Sequence, residues 1–125
     1  MSEKSNQHFD KAKENLKVAD KGLFKPEEDV VTYLICKNSQ YAIENNLKGF
    51  LTLRGFETHD HETLEGLLKR CIALDSKFKN VDLQAIDCKA HQIDSSYCDD
   101  VHKVSSCFKT ADDLDTFLRK LNVIQ

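Results

Sequence analysis

Residues 26–55 read PEEDVVTYLICKNSQYAIENNLKGFLTLRG, and this stretch decides the fold. Pro26 is pre-shaped for a first helical position, and Glu27, Glu28 and Asp29 favour the positive end of a helix dipole. Gly55 stands where a helix commonly stops. Between them only Gly49 opposes a helix, at a cost of about 1 kcal/mol relative to Ala. The spacing predicts one helix over Pro26–Arg54, roughly 43 Å long at 1.5 Å per residue. An element that long in a chain of 125 residues requires other helices packed along it. Ile35, Ala42, Ile43, Leu47 and Phe50 make its apolar stripe. Asn38, Ser39, Gln40, Asn45 and Asn46 sit beside that stripe, although Asn is a mediocre helix former. Two explanations compete: solvated faces, or a hydrogen-bond network between helices or across a dimer interface, or else a pocket wall.

The surrounding sequence supplies the partners. Phe9, Ala12, Leu16, Ala19 and Leu23 alternate at spacings of three and four, predicting a helix over about Ser5–Leu23. Lys13, Lys17, Lys21 and Lys25 form a basic ridge on it, most simply a solvated face. Asp60 is the expected cap of a third helix, with Glu62 in its first turn and Arg70 near its end. Leu64, Leu67, Leu68, Cys71 and Leu74 are its apolar face. Asn80 is the expected cap of a fourth helix, carried by Leu83, Ile86, Ala90 and Ile93. Residues 95–109 show no convincing period and predict a long connection. Thr110 and Asp113 resemble a capping box opening the last helix, buried by Leu114, Phe117, Leu118 and Leu121. The expected fold is therefore all-α: an antiparallel up-and-down bundle of about five helices with a long second helix, forming one domain over residues 1–125.

Bulk composition narrows the function classes. Eighteen basic side chains against twenty-one acidic ones leave a net charge of −3, which argues against a general nucleic-acid binder and gives no expectation of DNA binding. No apolar run approaches the ~18 residues that cross a bilayer, and the start MSEKSNQHFDK lacks a signal peptide's apolar core. The expectation is a cytoplasmic protein. Cys36, Cys71, Cys88, Cys98 and Cys107 are odd in number and include no C-x-x-C pair, so they read as small buried side chains rather than a disulfide framework.

Candidate chemistry is sparse. Arg54 and His59 form an R-x4-H pair at the end of the long helix. Such a pair suits RNA cleavage, with His moving protons and Arg steadying charge on phosphate; loop packing is the plainer explanation. His59, Asp60, His61, His91 and His102 carry metal-ligand chemistry, yet no Glu-x-x-His or His-x3-His pair sets two of them on one helical face. No metal and no cofactor is expected. A phosphate-cradling Gly-rich loop and a G-x-S-x-G elbow are both missing from the sequence. Tyr97, with Ser95, Ser96, Asp99 and Asp100 around it, either closes an apolar stripe or contacts a base or ribose.

Gln40-Tyr41-Ala42-Ile43-Glu44-Asn45-Asn46-Leu47-Lys48 resembles the long second helix of HEPN domains (higher eukaryotes and prokaryotes nucleotide-binding), where the pattern runs roughly Q-x-A-x-E-K-x-L-K. Gly55, then Thr58-His59-Asp60 and the leucines at 64, 67 and 68, is similar to that family's G…T-H-D/S-L…L-L junction. Ser96-Tyr97-Cys98-Asp99 falls where many members have Arg-Tyr-Pro-Asp. The resemblance implies a helical bundle, commonly a homodimer, in a prokaryotic cytoplasm. It also implies ribonuclease activity in many members, often as a toxin paired with a nucleotidyltransferase antitoxin. Their catalytic Arg and His lie a few residues apart on a later helix. Here the only arginine after Arg70 is Arg119, and no histidine follows it. Serine at 96, cysteine at 98 and asparagine at 45 depart from the family pattern as well. The expectation is a non-catalytic bundle binding a nucleotide, RNA or a partner protein through Glu44, Lys48, His59, Tyr97 and Asp99. The alternatives are a metal-independent ribonuclease using Arg54 and His59, and a structural subunit of a larger complex.

Overall fold

The computed structural model describes residues 3–22, 29–59, 62–83, 101–121 and 123. The described residues contain helices and no strand: α1 (Glu3–Gly22), α2 (Asp29–Leu53), α3 (Leu64–Leu74), a 3-10 turn at Ser76–Asn80, and α4 (Val101–Lys120). At 25 residues α2 is the longest of these helices, and α1, α3 and α4 all pack against it.

The two long N-terminal helices run antiparallel, because low numbers on α1 meet high numbers on α2. The Phe9 ring lies against Gly49, where an added Cβ would come within 2.5 Å of the ring. Further along, Asn15 reaches the segment between Asn38 and Asn45. The glycine that weakens the helix locally is thus the residue that lets an aromatic ring close the interhelical gap. Beneath this layer lies one core, in which Phe9, Ile43, Leu47, Phe50, Leu51, Leu67, Phe78, Leu114 and Leu118 are all buried. Phe78 is its centre. Its ring is 4.5 Å from that of Phe50 and 5.0 Å, edge on, from that of Phe117, a geometry that suits the aromatic quadrupoles.

α2 stops as its sequence demands. Gly55 takes φ +87°, its N–H donates to the Thr52 carbonyl at 3.0 Å, and the Phe56 N–H donates to the Leu51 carbonyl at 3.0 Å. This is the Schellman arrangement, which favours glycine at the left-handed position.

Three boundaries differ from expectation. α3 is capped by Thr63, not Asp60: the Thr63 hydroxyl accepts from the Gly66 N–H at 3.0 Å. Glu62 therefore stands outside the helix, where its carboxylate is free for the preceding loop. Asn80 ends the 3-10 turn instead of opening a helix, and the Val81 N–H closes that turn on the Phe78 carbonyl at 3.0 Å. The remainder of the expected fourth helix, from residue 84, lies outside the described residues. Finally, α4 begins at Val101, so residues 101–109, expected as connection, are helical. Cys107 and Ala111 are buried and extend the Leu114–Leu118 stripe by two turns. Small side chains carry that stripe, so it leaves little hydrophobic signal, and Thr110 is an interior helical residue rather than a cap. No helix among the described residues is long and apolar enough to cross a membrane.

Candidate functional site

A groove of about 540 Å³ lies between the middle of α2 and the start of α3. Lys37, Gln40, Tyr41 and Glu44 wall it from α2, Glu62, Thr63, Leu64 and Glu65 from the α3 entrance, and Leu83 closes one end. The α2 wall follows from helical periodicity, since positions 37, 40, 41 and 44 share one face. On that face Gln40 is buried, whereas Tyr41 stays 41% exposed. The Lys37 ammonium stands 5.8 Å from the Tyr41 ring centre, a cation–π approach.

Two ion pairs hold the carboxylates of the groove in place. Lys48, itself buried, donates to Glu44 at 3.0 Å one turn further along α2. It stands behind the wall, and of these two expected ligand residues only Glu44 is among those that line the groove. Across the groove, Glu62 pairs with Arg70. The other Arg70 nitrogen donates to the Glu57 carbonyl at 2.7 Å, and Glu62 also accepts from the His59 N–H at 2.8 Å. Burial pushes the Glu62 carboxyl up, but the His59 N–H and the Arg70 guanidinium outweigh it and hold the group below the usual carboxylate range. The loop from Glu57 to Thr63 is thereby tied to α3 through one arginine.

The residues expected to do chemistry are distributed differently. The Arg54 guanidinium lies 5.2 Å from the centre of the Phe50 ring, and Arg54 is solvent-exposed. His59 is exposed in the tied loop. Neither lines the groove, whereas Glu44 does. Tyr97 and Asp99 lie outside the described residues. No group of three His, Cys, Asp or Glu side chains able to hold a metal ion occurs among the described residues. Cys71 is buried, and that burial, against the opposing pull of Arg70, pushes its thiol up to about 12. It is an inert core side chain with a weak contact to the Leu47 carbonyl at 3.8 Å.

The polar middle of α2 divides into three. Asn15 links Asn38 and Asn45: its amide nitrogen donates to Asn38 at 3.2 Å and its oxygen accepts from Asn45 at 3.1 Å. This is the interhelical network that the amide-rich sequence left open as one alternative. Gln40 meets the pocket-wall alternative. Ser39 and Asn46 face inward, fully buried, and their side chains have no hydrogen-bond partner among the described residues.

Sequence reasoning missed Lys37, Tyr41, Glu65 and Leu83 as groove residues. The available signal was the spacing 37-40-41-44, a mixed polar and aromatic face on a helix whose core face is already complete.

With this geometry in place the comparisons are specific. The family model of the HEPN domain matches residues 5–123, nearly the whole chain. The chain is a HEPN domain. The described helices are thus those of a HEPN bundle, and the Gln40–Lys48 segment that carries the resemblance contributes Gln40, Tyr41 and Glu44 to the α2 wall of the groove. Neither a curated protein nor a solved structure matches the chain.

Proposed function

We propose that this HEPN domain is a non-catalytic binding module whose groove between α2 and the α3 entrance receives the base of a nucleoside-containing ligand. The observation that carries this is Tyr41: a large aromatic ring left 41% exposed in the wall of a hollow with room for a small molecule. Exposed aromatic faces stack on bases of any sequence, at about 1–3 kcal/mol per base. Gln40 and the carboxylates of Glu44 and Glu62 give such a ring hydrogen-bonding partners at its edge. The pairing of Glu44 with Lys48 and of Glu62 with Arg70 pre-sets those acceptors before a ligand arrives, which lowers the ordering cost of binding. The sequence supports the non-catalytic part, having no late Arg–His pair.

Calorimetric titration with nucleosides and nucleotides tests the proposal. We expect saturable binding to the wild type and a loss of roughly tenfold or more in affinity for Tyr41→Ala, the loss of one base stack. Unchanged affinity in Tyr41→Ala removes the groove from the function. Ribonuclease chemistry by Arg54 and His59 is tested by incubation with tRNA beside a His59→Ala control, and we expect no cleavage by either protein. A homodimer and a nucleotidyltransferase partner belong to the same proposal through the family resemblance. Mass measurement in solution checks the first and co-purification the second.

A further inference from the structure

The charges around the groove are arranged unevenly with depth. Three carboxylates, those of Glu44, Glu62 and Glu65, belong to its lining, and Lys37 is the only cation among the lining residues. The cations that balance two of the carboxylates sit behind them: Lys48 is buried at the back of Glu44, and Arg70 is drawn toward α3 and the Glu57 carbonyl. Glu65, exposed in the first turn of α3, has no ion-pair partner among the described residues. Lys37 is engaged over the Tyr41 ring. The wall that a group entering the hollow meets thus carries three carboxylates against one ammonium, which is itself held at the Tyr41 ring.

Coulomb energies fall with distance, so this ordering matters more than the near-neutral total. A phosphate has strong acceptor oxygens and no donors, and it would be set against further acceptors. A planar ring carrying N–H donors is matched by the same atoms, and a positive charge on the ring would add attraction to the lining carboxylates. We infer that the groove selects an uncharged or cationic ring bearing N–H donors, a nucleoside or free base, and discriminates against the phosphorylated forms of the same molecule. This inference rests on the base-binding function proposed above and adds the sign of its specificity.

The experiment is a calorimetric titration of the wild-type protein with adenosine, its monophosphate and its triphosphate at low ionic strength, repeated at high salt. Cytidine and its phosphates serve as a second series. The expected order of affinity is nucleoside, then monophosphate, then triphosphate, with roughly tenfold or more between the ends. Added salt narrows that gap, because exposed charges are screened. Glu65→Gln also narrows it, improving triphosphate affinity by a larger factor than it changes nucleoside affinity; far-UV circular dichroism confirms that this exposed substitution leaves the fold intact. Binding of the triphosphate as tightly as, or more tightly than, the nucleoside overturns the inference while leaving the groove as a binding site. A gap that neither salt nor Glu65→Gln alters also overturns it, because the discrimination would not then be electrostatic. If no nucleoside, nucleotide or base binds at all, both the inference and the proposed function fall.

Discussion

Asn46 shows most directly what one side chain contributes. It is fully buried and both its amide atoms are unpartnered among the described residues, a state that costs about 1–3 kcal/mol of desolvation. Replacing it with leucine, similar in volume, removes that cost. Asn46→Leu is expected to raise stability to urea by about 1–2 kcal/mol. An unfolding midpoint at or below that of the wild type would show that the amide has a partner after all. Asp112, on α4, behaves differently. Partial burial, then the neighbouring Asp115, Asp113 and Asp20 carboxylates, push its carboxyl up from the ordinary 3.8, with Arg119 opposing. A raised carboxylate value means that the folded state holds its proton more tightly than the unfolded one. The corresponding stability is complete below 3.8 and is lost as pH rises through the folded value. Asp112→Asn should flatten that slope and melt later than the wild type at neutral pH. Thermal melts across the acidic range, compared between the two proteins, read both effects.

At the scale of the element, α2 is held to α1 by a polar bridge as well as by apolar contact. Asn15→Ala removes both bonds at once and leaves Asn38 and Asn45 short of a partner, so a loss of about 1–2 kcal/mol is expected. Double-mutant cycles with Asn38→Ala and Asn45→Ala should return non-zero coupling energies; additive losses would refute the bridge. The elements also show what the sequence discloses and what it hides. α1 and α2 were legible because their stripes are built from large side chains at regular spacing and their ends carry Gly55 or acids. The start of α4 was hidden because Cys107 and Ala111 fill the core position by position without standing out as hydrophobes. The cap of α3 was misplaced by three residues because Asp60 and Thr63 have equal capping chemistry. The bond from the Gly66 N–H to the Thr63 hydroxyl is what identifies the cap. Glu44, singled out from its family position, lines the groove. Tyr41 was not singled out, because an aromatic beside an apolar stripe reads as core until its exposure is known.

Across the whole molecule, helices distant in sequence converge on one ring. Phe78 lies in the short 3-10 turn, contacts Phe50 of α2 and Phe117 of α4, and is completely buried. Phe78→Ala should therefore cost about 3–5 kcal/mol, an effect of the size seen when a large core aromatic is truncated. The loss should appear as a single cooperative transition displaced to lower urea, since the three elements share this contact. A variant that loses only one helix, while the rest unfolds at the wild-type midpoint, would show that the core is divided. The groove and the Asn15 bridge use different residues of α2, so Tyr41→Ala and Asn15→Ala should affect ligand binding and stability separately.

The Asn15 bridge has one more consequence. Asn38 and Asn45 are seven residues apart and Asn15 takes a different kind of bond from each, so the position of α1 along α2 is written into the contact itself and does not depend on how the two helices are joined. Sliding α1 by one turn would break both bonds of the Asn15 amide while keeping much of the apolar contact. The bridge works as a postal address for the first helix. A synthetic peptide of residues 3–22, offered to a chain that lacks them, should seat itself in a single register, and the same peptide with alanine at position 15 should lose that uniqueness before it loses its grip.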